Sequence, residues 1–286
     1  MASNMTEDNL WAEYDVQFVI AALQDLWITA SISTLLLACL GFLLRKERNR
    51  NQTITLSSVN ILLILQIITN LLVSFFNYLF GAALSPSLMF YYTLLAQINL
   101  SLTQCLIVFY AYARVRPVLE TLYPLILPFI LVFLGIYGVL QLSQVTWIGL
   151  FSYAYNNNLS TQTQNFFSKV ADAHSIAVDI ATISFDAFVT GMYVIYLRSV
   201  RDFNITTEKL KIIAKHGIVS CIVLEMWLIS IVLYDYCSYS VVPPVNVLQF
   251  ILLLRISDDL VLVYFVIQVA MKWALIKMMK GPKVEP

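Results

Sequence analysis

Charge is scarce in this sequence. Asp, Glu, Lys and Arg make up 12% of the 286 residues, against about 25% in a typical soluble domain. With 60% hydrophobic residues and a mean hydropathy of +0.79, the chain reads as an integral membrane protein. Histidine is nearly absent. His174 and His216 fall near opposite membrane faces, which excludes a zinc centre built on several histidines. Of the four cysteines, Cys39, Cys105 and Cys221 sit in apolar runs and Cys237 stands alone in an outer loop. No disulfide framework is therefore available. Glycine is sparse, with 8 residues, and no Gly-rich phosphate loop occurs. No lysine lies at mid-span to form a retinal Schiff base, and no nucleophile–His–Asp set emerges. The expectation is a protein that is not an enzyme, holds no metal or other cofactor, and has no nucleic-acid partner. The first 24 residues contain Glu7, Asp8, Glu13 and Asp15 but no lysine or arginine. A cleavable signal peptide is excluded by that pattern, and the first span is expected to direct insertion.

What is abundant is long apolar sequence. Seven runs stand out, roughly Leu26–Leu44, Leu56–Phe80, Leu88–Tyr112, Leu125–Trp147, Ser175–Leu197, Gly217–Tyr236 and Val247–Met271. Each is long enough to cross a bilayer as a helix, and barrel strands would be far shorter. The fold class expected is an all-α membrane protein, a seven-transmembrane helix bundle. Residues 1–25 read as an outer tail, 26–273 as the membrane domain and 274–286 as a cytosolic tail. Every lysine and arginine except Lys169 and Arg255 falls in the first, second and third inner loops or the C-terminal tail. The positive-inside rule then places the N-terminus outside and the C-terminus in the cytosol. The membrane expected is the plasma membrane. The sequons at Asn4 and Asn158 fall outside and are open to glycosylation. The segment from Phe151 to Gln164 alternates around Asn156-Asn157-Asn158, which predicts a short β-hairpin lid between spans four and five. Pro128 is the only proline expected inside a span.

Polar residues within the runs carry the functional signal. Span two has Gln66, Asn70, Ser74 and Asn77; span three has Gln97, Ser101 and Gln104; span five has Ser175, Asp179, Thr182 and Asp186. Spacings of three and four put each series on one helix face. In lipid such faces turn inward, as interhelical glue or as the lining of a site. In span seven, Arg255 precedes Asp258 and Asp259 by three and four residues, so it reaches both along one face. At about 1.5 Å per residue, Asp186, Glu225, Asp258 and Asp259 fall near one level of the membrane. Asp179 lies one to two turns above that level. Five carboxyls around one guanidinium imply protonated acids, a bound metal ion or a bound amine.

The end of span three reads Tyr110-Ala111-Tyr112-Ala113-Arg114-Val115. Seven helices, an outer N-terminus, a basic cytosolic face and this Arg114 together resemble a G-protein-coupled receptor. The resemblance covers the chain in topology. It implies that Arg114 serves cytosolic coupling, although Ala113 stands where the family carries an acid. Asp258-Asp259 with Tyr264 is similar to the span-seven motif, with different spacing and no proline, and Trp227 resembles the span-six tryptophan. The cysteine pair of the outer face is missing. What the resemblance implies is a receptor for a small extracellular ligand that signals to a heterotrimeric G protein or another cytosolic transducer. Asp179, Asp186, Glu225, Arg255, Asp258, Asp259, Gln97 and Ser101 are the candidate ligand- or cation-binding residues. The alternative expectation is a proton- or cation-coupled transporter using the acidic level.

Overall fold

The computed structural model describes residues 7–51, 57–200, 208–239 and 245–278. Seven long helices make up nearly all of them: α1 (Glu7–Asn51), α2 (Ser58–Gly81), α3 (Pro86–Leu122), α4 (Leu127–Asn156), α5 (Thr161–Val200), α6 (Glu208–Tyr239) and α7 (Val245–Met278). Each contains a stretch long and apolar enough to cross a membrane. The expected seven-helix, multi-pass architecture is present, and no strand occurs among the described residues.

Several helices run past the apolar limits read from the sequence. The basic segment Arg45–Arg50 continues α1 rather than forming a loop, because straight-chain charged residues are good helix formers. Pro86 occupies the first turn of α3, where Ser85 accepts from the Leu88 amide at 3.3 Å. Pro117 lies inside the C-terminal extension of α3, whereas Pro128 sits harmlessly in the first turn of α4. That reverses the proline expectation: proline at the first turn has no intrahelical bond to lose. Tyr123 leaves the helical region before Pro124, as a residue preceding proline tends to do, and a 3₁₀ turn over Pro124–Ile126 leads into α4.

The hairpin lid expected over 151–164 is not formed. Helix α4 continues to Asn156 and α5 resumes at Thr161. Asn158 takes a positive φ of 51°, a conformation that asparagine tolerates, and the chain reverses within four residues. The Leu159 amide bonds back to the Ala154 carbonyl at 3.0 Å. Ser160 caps α5 by accepting from the Thr163 amide at 3.3 Å. The alternation that suggested strands is exposed helix surface. Tyr153, Tyr155, Asn158 and Leu159 all stand outward.

Consecutive helices pack side by side, and α7 returns to α1, so the seven close into a ring with α3 also touching α5 and α2 touching α7. Two apolar cores fill it. One joins α1, α2, α6 and α7 around Leu40, Leu63, Ile67, Leu224 and Phe265. The other joins α3, α4 and α5 around Val108, Leu119, Leu134, Tyr137 and Val189. At the ends of α1 and α7, the Lys272 ammonium donates to Glu47 Oε2 at 2.9 Å and to Asn60 Oδ1 at 2.7 Å. One side chain thereby ties three helices. Leu35, Phe42, Phe129, Val139, Leu142 and Ile229 face outward, as a helix in contact with acyl chains requires.

Candidate functional site

Two polar centres lie at opposite ends of the bundle. The first is a cavity of about 250 Å³ toward the end where α2, α4 and α6 finish and α3, α5 and α7 begin. Asn70, Ser74 and Asn77 on α2, Gln104 on α3, Asp172, Ser175 and Asp179 on α5, Trp227 on α6, and Ser257 and Asp258 on α7 contribute to its walls. Three of the lining residues are carboxylic acids, and among the described residues no lysine, arginine or histidine lines it.

A fixed relay positions one of these acids. Gln104 donates from Nε2 to Asp179 Oδ1 at 2.7 Å. Gln104 in turn accepts from Gln141 Nε2 at 2.9 Å, and the same amide of Gln141 reaches the Tyr137 hydroxyl at 2.8 Å. The Tyr137 and Thr182 hydroxyls bond at 2.7 Å. Alongside, Gln144 Nε2 donates to Ser175 Oγ at 3.0 Å. Thus α3 and α4 hold the orientation of Asp179 and Ser175 on α5. Interhelical bonds of this kind replace the water that the side chains lack in a bilayer.

The second centre surrounds Arg114, eight residues before the end of α3. Its Nη1 donates to Gln268 Oε1 on α7 at 3.1 Å. Gln268 donates from Nε2 to Ser220 Oγ on α6 at 2.8 Å. The Ser220 hydroxyl in turn donates to the carbonyl of His216 at 2.8 Å. The guanidinium lies over the rings of Tyr110 and Tyr193, with 5.4 and 5.8 Å to their centroids. The Tyr193 hydroxyl donates to the backbone carbonyl of Arg114. Asp186 and Tyr264 are within electrostatic reach of Arg114. Arg114 Nε, Asp186 Oδ2 and the Tyr264 hydroxyl are all buried without a hydrogen-bond partner. Gly217 leaves little room for a side chain here. A Cβ at that position would come within 3.1 Å of Thr190 Oγ1 and 3.8 Å of Arg114 Nη2.

The structure divides the acidic level expected from the sequence. Asp179 and Asp258 meet at the cavity. Asp186, 3% exposed, belongs to the Arg114 centre instead. Glu225 is not inward at all: it stands on the outer face of α6, between the outward residues Ile222 and Ile229. Its depth was legible from residue counting, but its direction around the helix was not. Arg255 forms no salt bridge with Asp258 or Asp259. It donates to Gln24 Oε1 on α1 at 3.4 Å. Asp259 is close to Asp25 of α1, which also lies within electrostatic reach of Arg255. Gln97 and Ser101 are not among the cavity residues, and Gln97 Nε2 and Ser101 Oγ are buried without partners. Gln66 donates to the Leu106 carbonyl at 2.7 Å and acts as interhelical glue.

Sequence reading missed Asp25 and the α4 relay. Both left a signal. Asp25, Thr29 and Ser33 recur every four residues, as do Tyr137 and Gln141, with Gln144 three further on. Asp25 lies just before the apolar run that begins at Leu26, so hydropathy alone leaves it in the tail. Among the described residues, no group of three or more His, Cys, Asp or Glu side chains is arranged to hold a metal ion. Comparison of the chain with protein-family models, curated proteins and solved structures finds no match. Any functional reading therefore rests on the residues themselves.

Proposed function

We propose that this protein is a seven-helix membrane receptor similar to G-protein-coupled receptors, in the plasma membrane with its N-terminus outside. In this reading a small ligand enters the cavity, and the Arg114 end of the bundle engages a heterotrimeric G protein or another cytosolic transducer. One observation carries the proposal. The helices that line the cavity through Trp227, Ser257 and Asp258 are the same two, α6 and α7, that Arg114 ties together through Gln268 and Ser220 at the far end. A ligand that alters how α6 meets α7 at the cavity acts on that bridge through rigid helices, which is how a ligand biases a two-state bundle. The acid-rich lining favours a ligand with a positively charged group.

The test is coupling. Cells expressing the chain are exposed to small amines, and second-messenger output is compared for the wild type and Arg114→Ala. The expected result is a response lost in the variant, with ligand binding and surface abundance retained. A ligand that binds the wild type without any cytosolic output refutes the receptor reading.

The transporter alternative has its own support. Asp172, Asp179 and Asp186 recur every seven residues along α5, about 10.5 Å apart along the helix axis. They form a ladder of acids of the kind found on ion pathways. Proton or cation flux into proteoliposomes, abolished by Asp186→Asn, favours that reading; a receptor shows none.

A further inference from the structure

Glu225 is the residue that neither centre uses. It lies on the exposed face of α6, eight residues beyond Gly217 and so about 12 Å along the helix, inside a hydrocarbon core of about 30 Å. The exposed residues around it are Ile218, Ile222, Met226 and Ile229. Its one hydrogen-bond contact among the described residues is the thiol of Cys221, a weak donor 3.8 Å away on the same helix. Among the described residues, no lysine or arginine forms a salt bridge with it. A carboxyl facing acyl chains at that depth is costly, and such groups normally turn inward or find a partner. The side chain is also too short to carry its head to either membrane surface, unlike lysine or arginine.

The spacing around Glu225 supplies the geometry of a partner. Ile218, Ile222, Glu225 and Ile229 are separated by four, three and four residues, the repeat of a helix–helix seam. One polar residue in such a seam fixes register and the number of chains. We propose that this face of α6 is the interface of a parallel homodimer, with Glu225 at its centre. A two-fold axis along the membrane normal places every residue at the depth of its own copy. Glu225 then meets Glu225 of the partner subunit with no requirement for depth matching by a different sequence. A carboxyl in its acid form has one O–H donor and free acceptor sites. Two facing copies satisfy one another by reciprocal O–H···O bonds, and the isoleucines pack on either side. Polar side chains drive helix association in bilayers in this way.

The dimer is tested by energy transfer between donor- and acceptor-labelled copies in liposomes over a range of protein-to-lipid ratios. The wild type is expected to follow a monomer–dimer equilibrium. Glu225→Leu should raise the dissociation constant about tenfold, while Glu225→Gln, whose amide also pairs with its copy, should stay near the wild type. Because Glu225 faces outward, thermal unfolding of both variants should match the wild type when measured at a dilution that leaves the wild type monomeric, which separates loss of the dimer from loss of the fold. In cell membranes, a photo-crosslinker at Ile222 should yield a dimer, and one at Phe129 on the exposed face of α4 should not. A wild type that stays monomeric at every ratio overturns the proposal. So does dimerisation by Glu225→Leu equal to the wild type, or crosslinking at Ile222 to a different protein in place of a second copy.

Discussion

Replacing Gln268 by leucine isolates the bridge between α3, α6 and α7. Gln268 is 0% exposed. It accepts from Arg114 at 3.1 Å and donates to Ser220 at 2.8 Å. Leucine removes both bonds while keeping much of the volume. A hydrogen bond to a charged group is worth about 1.5–3 kcal/mol in water-soluble proteins. Interhelical bonds in a bilayer average about 0.6 and reach about 1.7 kcal/mol, since the alternative state also finds partners. Ser220 keeps its own bond to the His216 carbonyl, so little is lost on that side. Arg114 is the group left short, because its Nε already lacks an acceptor. The expected loss is therefore about 1–2 kcal/mol, near the upper membrane value. The assay is a double-mutant cycle of Arg114→Met and Gln268→Leu, scored by unfolding of purified protein in mixed micelles. Coupling of about 1 kcal/mol or more is expected for a direct bond of this kind. On the proposed receptor function, Gln268→Leu should also raise output in cells in the absence of ligand, because the Arg114 end of the bundle is no longer tied. Coupling below about 0.5 kcal/mol, the scatter expected of independent sites, refutes the bridge as an energetic unit.

Other outcomes follow from the same geometry. Asp179→Asn should abolish binding of a cationic ligand while the protein still folds, since an amide still accepts from Gln104; equilibrium binding and thermal unfolding measure the two effects separately. Gly217→Val should disrupt the inner centre by driving its side chain against Thr190, and loss of stability in the same unfolding assay checks it. Lys272→Met should destabilise the fold by about 1 kcal/mol, the low end of charged hydrogen bonds, because Glu47 remains partly solvated and recovers some hydration. Epitope tags placed before Met1 and after Pro286 should be accessible on opposite sides of the cell membrane, as antibody labelling of intact and permeabilised cells reads directly.

The helices were legible because hydrophobicity is a sum over some twenty residues, and a sum tolerates local exceptions. Their ends were less so. The extension of α1 through Arg45 and Lys46 depends on helix propensity outside the apolar core, which hydropathy does not register. The cavity was half legible. Asn70, Ser74, Asn77, Ser175 and Asp179 were on the predicted inward stripes and do line it. On α3, Gln104 of the predicted stripe lines the cavity, joined by Leu100 in place of Gln97 and Ser101, a rotation that periodicity within one helix cannot fix. The same limit explains Glu225. Residue counting gives height along a helix, whereas direction is set by neighbouring helices. The hairpin over 151–164 failed for a different reason: the turn falls at the predicted asparagines, but alternating polarity on the exposed ends of α4 and α5 imitates strands.

The closure between α1 and α7 has a consequence for how the protein is made. Lys272 and Glu47 are 225 positions apart in the chain. On a ribosome, α1 is synthesised first and meets α2 early, but it must wait for nearly the whole polypeptide before its second neighbour, α7, emerges. Until then Glu47, Asn60 and one flank of α1 lack the side chains that complete them. Products of premature termination upstream of Lys272 would thus carry an open seam with an unmatched acid at the membrane edge. That is the kind of lesion quality-control machinery recognises. Nonsense changes that remove Lys272 should accordingly act through degradation of the product rather than through altered binding alone.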